Sequence, residues 1–177
     1  LSVGSIVPRK AYDVLVRALA PLAGLDWRLT IAGADDRSAE ALAALTSAIA
    51  DTGLGARVTL TGAATQSQLD ALYAAADLFV LPSLFEGYGM VLAEAMARGL
   101  PIVCTTGGAA AETAPADAAL KVPPGDAAAL GAAIGHVLRD AAARRAMGAA
   151  SWAAGRALPR WDDTARIIAA VLRKAGP

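Results

Sequence analysis

One cysteine and one histidine stand among the 177 residues, and their scarcity excludes a good deal. Cys104 alone cannot build a disulfide framework within the chain. It lies in an apolar strand-like run, where an inert buried thiol is expected rather than a nucleophile. His136 is isolated in the helical pattern AALGAAIGHVLRD, so no His or Cys cluster is available to hold a metal. Net charge is also missing. Sixteen basic residues balance sixteen acidic ones, which leaves no broad electrostatic footprint for nucleic acid or a membrane surface and requires any anion site to be local. Although 56% of residues are hydrophobic, Asp77, His136 and Arg139 interrupt the apolar stretches short of the roughly 20 residues of a membrane span. The opening LSVGSIV has no basic n-region, so no signal peptide is expected.

What the chain does have is alternation. Short apolar runs at 1–7, 27–32, 57–60, 78–81, 101–104 and 119–122 alternate with helical patterns at 12–22, 38–51, 65–76, 90–98, 126–139 and onward to 150. Ser38, Thr65 and Asp126 stand where N-caps belong. Strands and helices in turn predict an α/β fold with a parallel, doubly wound sheet of about six strands, and the length suits a single domain over 1–177. In such sheets ligands bind beyond the carboxyl ends of the strands. The loops at Lys10, Gly62, Glu86 and Gly107 are all strand exits, and they are expected to converge on one crevice.

The most informative stretch is FVLPSLFEGYGMVLAEAMARGLPIVC, residues 79–104. Pro82 closes a strand because it cannot donate to a sheet ladder. Gly87 and Gly89 flank Tyr88, giving a loop whose backbone can take positive φ. A helix follows, and Gly99 with Pro101 stops it before the next strand. Glu86 in the loop and Glu94 in the helix look toward the same end of the sheet. A helix start attracts phosphate, and a carboxylate facing a phosphate would repel it. The two glutamates are therefore suited to neutral hydroxyls on either side of a diphosphate, such as a sugar and a ribose. Each also has an ordinary structural account. Glu94 could form an exposed pair with Arg98 one helical turn away, and Glu86 could be a solvated loop residue near a helix dipole.

The E-x7-E spacing, with its Gly-Tyr-Gly, the preceding Pro-Ser and the following EAMARGLPIV, resembles the nucleotide-binding C-terminal half of the GT-B retaining glycosyltransferases, family 4 (glycosyl transferases group 1) in particular. The resemblance implies that Glu86 contacts donor-sugar hydroxyls and Glu94 holds the ribose. It places the amides around Gly87, Tyr88 and Gly89 near sugar and phosphates. Tyr88 stands where the family often has Phe. In VGSIVPRKAYDVLVRAL, Lys10 falls on the family's diphosphate-binding lysine, while Ser5 replaces an arginine and Ala11 a glycine; Arg9 is the neighbouring cation that could reach the same charge. For both cations the ordinary account is a solvated loop. Glu112 is a further expected wall of the pocket.

The implied activity is transfer of a hexosyl group from a UDP- or GDP-sugar to an acceptor hydroxyl with retention, needing no cofactor and no obligatory metal. Lys10 and Glu86 would serve catalysis, with Arg9, Gly87, Tyr88, Gly89 and Glu94 binding the donor. The N-terminal acceptor domain is absent from this chain and is expected as its partner, residues 158–174 being the helix that crosses back to it or else packs here. The isolated chain is expected to bind donor and transfer nothing. Cytoplasmic residence is expected, with peripheral membrane attachment of a full-length enzyme left open. A non-catalytic binding module of the same fold is the alternative. An oxidoreductase lacks the G-x-G-x-x-G after the first strand, and for a phosphoacceptor domain Asp35-Asp36 is all the sequence provides.

Overall fold

The computed structural model describes residues 1–158 and 161–175, without the side chains of Trp161 and Ala175. Six short strands, β1 (Ser2–Val3), β2 (Leu29–Ala32), β3 (Val58–Leu60), β4 (Phe79–Leu81), β5 (Ile102–Thr105) and β6 (Ala119–Val122), alternate with helices. Helices α1 to α4 are Tyr12–Leu19, Ala39–Thr52, Gln66–Ala74 and Met90–Met96; α5 to α8 are Ala110–Thr113, Ala127–Arg139, Ala141–Ala157 and Trp161–Ala175.

All strand pairs are parallel, in two three-stranded sheets, β1-β2-β3 and β4-β5-β6. The sheets meet along β1 and β4. There the Val80 amide donates to Leu1 O at 2.9 Å, and the Ser2 hydroxyl donates to Val80 O at 2.6 Å. Across this seam the order is β3-β2-β1-β4-β5-β6, with the direction of winding reversing between β1 and β4. A reversal of that kind opens a crevice at the carboxyl ends of the two central strands.

The strands alternate side chains between the two faces, as their two-residue period requires. Val80 and Val103 join the core under α1, α2 and α6, whereas Phe79, Leu81, Ile102 and Cys104 join the core under α3 and α4. Helix starts follow the capping chemistry. The Ser38, Thr65 and Asp126 side chains accept from the amides of Ala41, Gln68 and Ala129, and Thr65 with Gln68 completes a capping box. Helix α7 crosses α4 at close range. A Cβ on Gly155 would lie 2.5 Å from the Met96 carbonyl, and one on Gly148 2.9 Å from Gly99 O.

Three differences from the sequence reading have local causes. The first strand spans only Ser2–Val3, because Gly4 turns away at φ +149°. Helix α4 ends at Met96 rather than 98, with Gly99 at φ +68° following its last turn. The short α5 falls between the helical patterns at 90–98 and 126–139, where the sequence predicts no helix. The C-terminal helix forms from Trp161; Pro159 and Arg160, within the range expected for it, lie outside the described residues. On α8 the large apolar residues Ile167, Ile168, Val171 and Leu172 are all exposed, so they do not form a core contact with the rest of the chain.

Candidate donor site

Two loops form the crevice, one leaving β1 and one leaving β4. The first makes a 3-10 turn at Pro8–Lys10 and then places Ala11 in the left-handed region, at φ 47° and ψ 44°. Only Ala11 among the described non-glycine residues has positive φ. The reversal brings Lys10 back over the strand exit, where Gly4 makes room for it: a Cβ there would stand 2.9 Å from Lys10 Cε. The second loop is bound to the first by the Leu84 amide, which donates to Arg9 O at 2.7 Å.

Glu86 is the meeting point. Its Oε1 accepts from Lys10 Nζ at 2.5 Å, Ser83 Oγ at 2.6 Å and Arg9 Nη1 at 3.2 Å. Lys10 and Glu86 are 4% and 6% exposed, so this ion pair is nearly removed from water, while Arg9 stays at the surface. Burial alone would raise the carboxyl pKa. The hydrogen bonds from Lys10 and Ser83, with the charges of Lys10 and Arg9, outweigh it and hold Glu86 below the usual carboxylate range. The solvated-loop account therefore fails for Lys10 and Glu86.

The loop is held from below by the exit of β5. The Glu86 amide donates to Gly107 O at 3.1 Å, and the Ala109 amide donates to Glu86 O at 2.9 Å. A Cβ on Gly107 would fall 2.2 Å from Leu84 O and one on Gly108 2.3 Å from Glu86 O. These glycines are thus required by close backbone approach. Thr105 donates its hydroxyl to Ser83 O, so the residue that supports Glu86 is itself fixed.

Of the two glycines flanking Tyr88, only Gly89 has positive φ, at 78°; it starts α4 without a side-chain cap. Tyr88, Phe85 and Met90 are exposed around it. With seven residues, α4 is too short for its dipole to dominate, and the positive charge of the crevice comes chiefly from Lys10 and Arg9.

Glu94 is held differently. Its Oε2 accepts from Tyr73 Oη at 2.9 Å, across from α3. The Glu94–Arg98 carboxylate pair, the ordinary account of Glu94, does not form. The Arg98 guanidinium pairs with Asp70, donates to the Glu94 carbonyl at 3.1 Å and lies 4.5 Å over the Tyr73 ring. Both glutamates thus have one oxygen committed and one, Glu86 Oε2 and Glu94 Oε1, that accepts no hydrogen bond among the described residues. Glu112 is exposed on α5 and makes no side-chain bond to this group. Sequence reasoning missed Tyr73, Thr105 and the supporting role of Ser83. The available signal for Tyr73 was its place as the one aromatic of α3, whose hydroxyl, once buried, needs a partner.

Cys104 is fully buried, and burial pushes its thiol up to about 11. No three His, Cys, Asp or Glu side chains gather as a metal site among the described residues. None of the described helices is long and apolar enough to cross a membrane.

The strand order and a crevice at the β1/β4 switch point define the Rossmann-like C-terminal half of a GT-B-like glycosyltransferase fold. The model of the Glycosyl transferases group 1 family matches residues 1–140, and the chain belongs to that family. A D-inositol 3-phosphate glycosyltransferase from Mycolicibacterium smegmatis is 41% identical over 107 residues, 60% of this chain and 24% of that protein. Sucrose-phosphate synthase from Thermosynechococcus elongatus superposes with a TM-score of 0.86 at 30% identity, over 98% of this chain and 45% of that one. Anabaena HepE in complex with UDP-glucose gives 0.83 at 25% identity, over 98% and 48%. The chain spans about a quarter of the length of the curated relatives it matches and just under half of these structural ones.

Proposed function

We propose that this chain is the donor-binding domain of a retaining, family 4 glycosyltransferase that takes a hexosyl group from a UDP- or GDP-sugar. The observation that carries the reading is that Glu86, seated against the Lys10–Arg9 turn, and Glu94, seated against Tyr73, each keep one carboxylate oxygen without a hydrogen bond among the described residues. Each glutamate keeps an oxygen for a neutral hydroxyl, while Lys10 and Arg9 supply charge for a diphosphate between them. The UDP-glucose complex of the structurally similar HepE supports that ligand class.

In this reading Glu86 Oε2 takes hydroxyls of the donor sugar and Glu94 Oε1 takes the ribose. The amides around Gly87, Tyr88 and Gly89 lie along the sugar and phosphates. Lys10 and Arg9 stabilise charge on the departing diphosphate, an electrostatic contribution that does not call for a metal. Holding donor and acceptor together supplies much of the remaining rate. The acceptor side belongs to an N-terminal domain outside this chain, onto which the exposed face of α8 would cross. The complete enzyme would work in the cytoplasm.

Calorimetric titration of the chain with UDP, GDP and ADP, repeated on Glu94→Ala, tests this. Binding of one nucleotide, weakened in the variant, is the expected result. Absence of binding to all three would favour a module of the same fold that no longer handles donor. Transfer to an acceptor by the purified chain would refute the assignment of acceptor chemistry to another domain.

A further inference from the structure

We propose that Tyr73 is the positioning residue of the nucleotide ribose site, aiming Glu94 by holding one of its oxygens so that the other faces the ribose diol. The inference rests on the ribose role given to Glu94 above and adds a residue from a different helix.

Tyr73 is 2% exposed on α3, and its ring is confined on more than one side. It stacks on Phe79 with centroids 5.8 Å apart and an interplanar angle of 22°, and the Arg98 guanidinium covers it at 4.5 Å. Arg98 is itself fixed through Asp70 and the Glu94 carbonyl. The phenol therefore has little freedom to swing. Its hydroxyl makes one hydrogen bond, to Glu94 Oε2 at 2.9 Å.

Burial, and then the bond to the Glu94 carboxylate, push the phenol pKa above its ordinary value. Tyr73 remains protonated and can act toward Glu94 only as a donor. An untethered glutamate on a half-buried helix face samples several rotamers, and freezing it on ligand binding costs entropy. Tethering one oxygen to a locked phenol removes much of that cost beforehand. The untethered Oε1 is left in a defined direction, without an intramolecular competitor among the described residues. A structural tie between α3 and α4 would use the same hydrogen bond, but it would not discriminate between ligands with and without ribose hydroxyls.

That difference sets the experiment. The nucleoside diphosphate that binds, UDP or GDP, and its 2′,3′-dideoxy analogue are titrated into the wild-type chain, Tyr73→Phe and Glu94→Gln. Phenylalanine keeps the stacking and the core volume, so the variant is expected to fold and to melt within a few degrees of wild type.

Tyr73→Phe should bind the ribonucleotide about fivefold to tenfold more weakly, the effect of losing one hydrogen bond to a charged group. Binding of the dideoxy analogue should be unchanged within about twofold, a span of roughly 0.4 kcal/mol. An equal loss on both ligands, or no loss on either, overturns the inference. If Glu94→Gln distinguishes the two ligands and Tyr73→Phe does not, the ribose site stands and only the role of Tyr73 falls. Failure of Glu94→Gln to distinguish them, or failure of wild type to bind either ligand, removes the ribose reading and this inference with it.

Discussion

Glu86 and Glu94 are the same residue type in one motif, yet they sit in opposite electrostatic settings. Glu86 is buried against a buried ammonium, with Arg9 beside it; Glu94 is half-buried and held by a neutral phenol. An ion pair removed from water is costly to break, because either partner left alone is an uncompensated buried charge. A phenol–carboxylate bond near the surface can be lost with water as a substitute. The first setting couples the carboxylate proposed to face the sugar to the cation proposed to hold the diphosphate, so a ligand that draws on Lys10 would also perturb Glu86. The second ties Glu94, the carboxylate proposed for the ribose, to an uncharged partner instead of to Lys10 or Arg9.

The largest expected effect breaks the first setting. Lys10→Met keeps the aliphatic stem but strands Glu86, and it should cost about 3 kcal/mol of stability in urea unfolding. Tyr73→Phe should cost about 1 kcal/mol in the same assay. Similar losses in the two variants would show that the settings are not energetically different. Adding Glu86→Gln to Lys10→Met removes the stranded charge and should recover much of the loss.

A pH series sharpens the contrast. The folded-state pKa of Glu86 is depressed, so the carboxylate's contribution is fully present above its unfolded pKa. It disappears as pH falls from there through the lower folded value. Wild type should therefore exceed Glu86→Gln in stability at neutral pH, with the gap closing in acid. Asp70 and Asp140, whose carboxyls are also held low, act in both proteins and cancel in the difference. A gap that stays constant down to the lowest pH would mean that the ion pair contributes nothing through its charge.

The sequence made one half of this contrast easier to read than the other. Lys10 and Glu86 were legible because their motifs resemble those of a known family and each lies in a strand-exit loop, and parallel topology brings such loops together. Caps at Ser38, Thr65 and Asp126 and the inert Cys104 were legible for the same kind of reason, since local chemistry decides them. The Tyr73–Glu94 bond joins residues 21 apart on different helices, and no local period encodes it. Arg98 illustrates the failure directly: helical spacing offered it the Glu94 carboxylate, but packing delivered it to Asp70, 28 residues away. The tight passage of Gly107 past Leu84 was likewise hidden, because a glycine pair reads as flexibility until the neighbouring backbone is in place.

The smallest effect concerns the turn that carries Lys10. Ala11 occupies a left-handed conformation that costs a residue with a Cβ about 1–2 kcal/mol, whereas glycine takes it freely but gives up about 0.5–1 kcal/mol more chain entropy on folding. The balance predicts that Ala11→Gly stabilises the chain by about 0.5 kcal/mol. The left-handed turn also accounts for the glycine that resembling sequences carry here. Lys10 itself is seated by Glu86 and by the space over Gly4, so nucleotide affinity should change by less than about twofold in the variant, roughly 0.4 kcal/mol. Paired urea unfolding and nucleotide titration would measure both. Higher stability with unchanged affinity would locate the cationic side of the site in its buried ion pair, whereas a marked loss of affinity would mean that strain at Ala11 aims Lys10. In that case Lys10 would depend on its backbone for direction much as Glu94 depends on Tyr73, and the contrast between the two settings would narrow to charge alone.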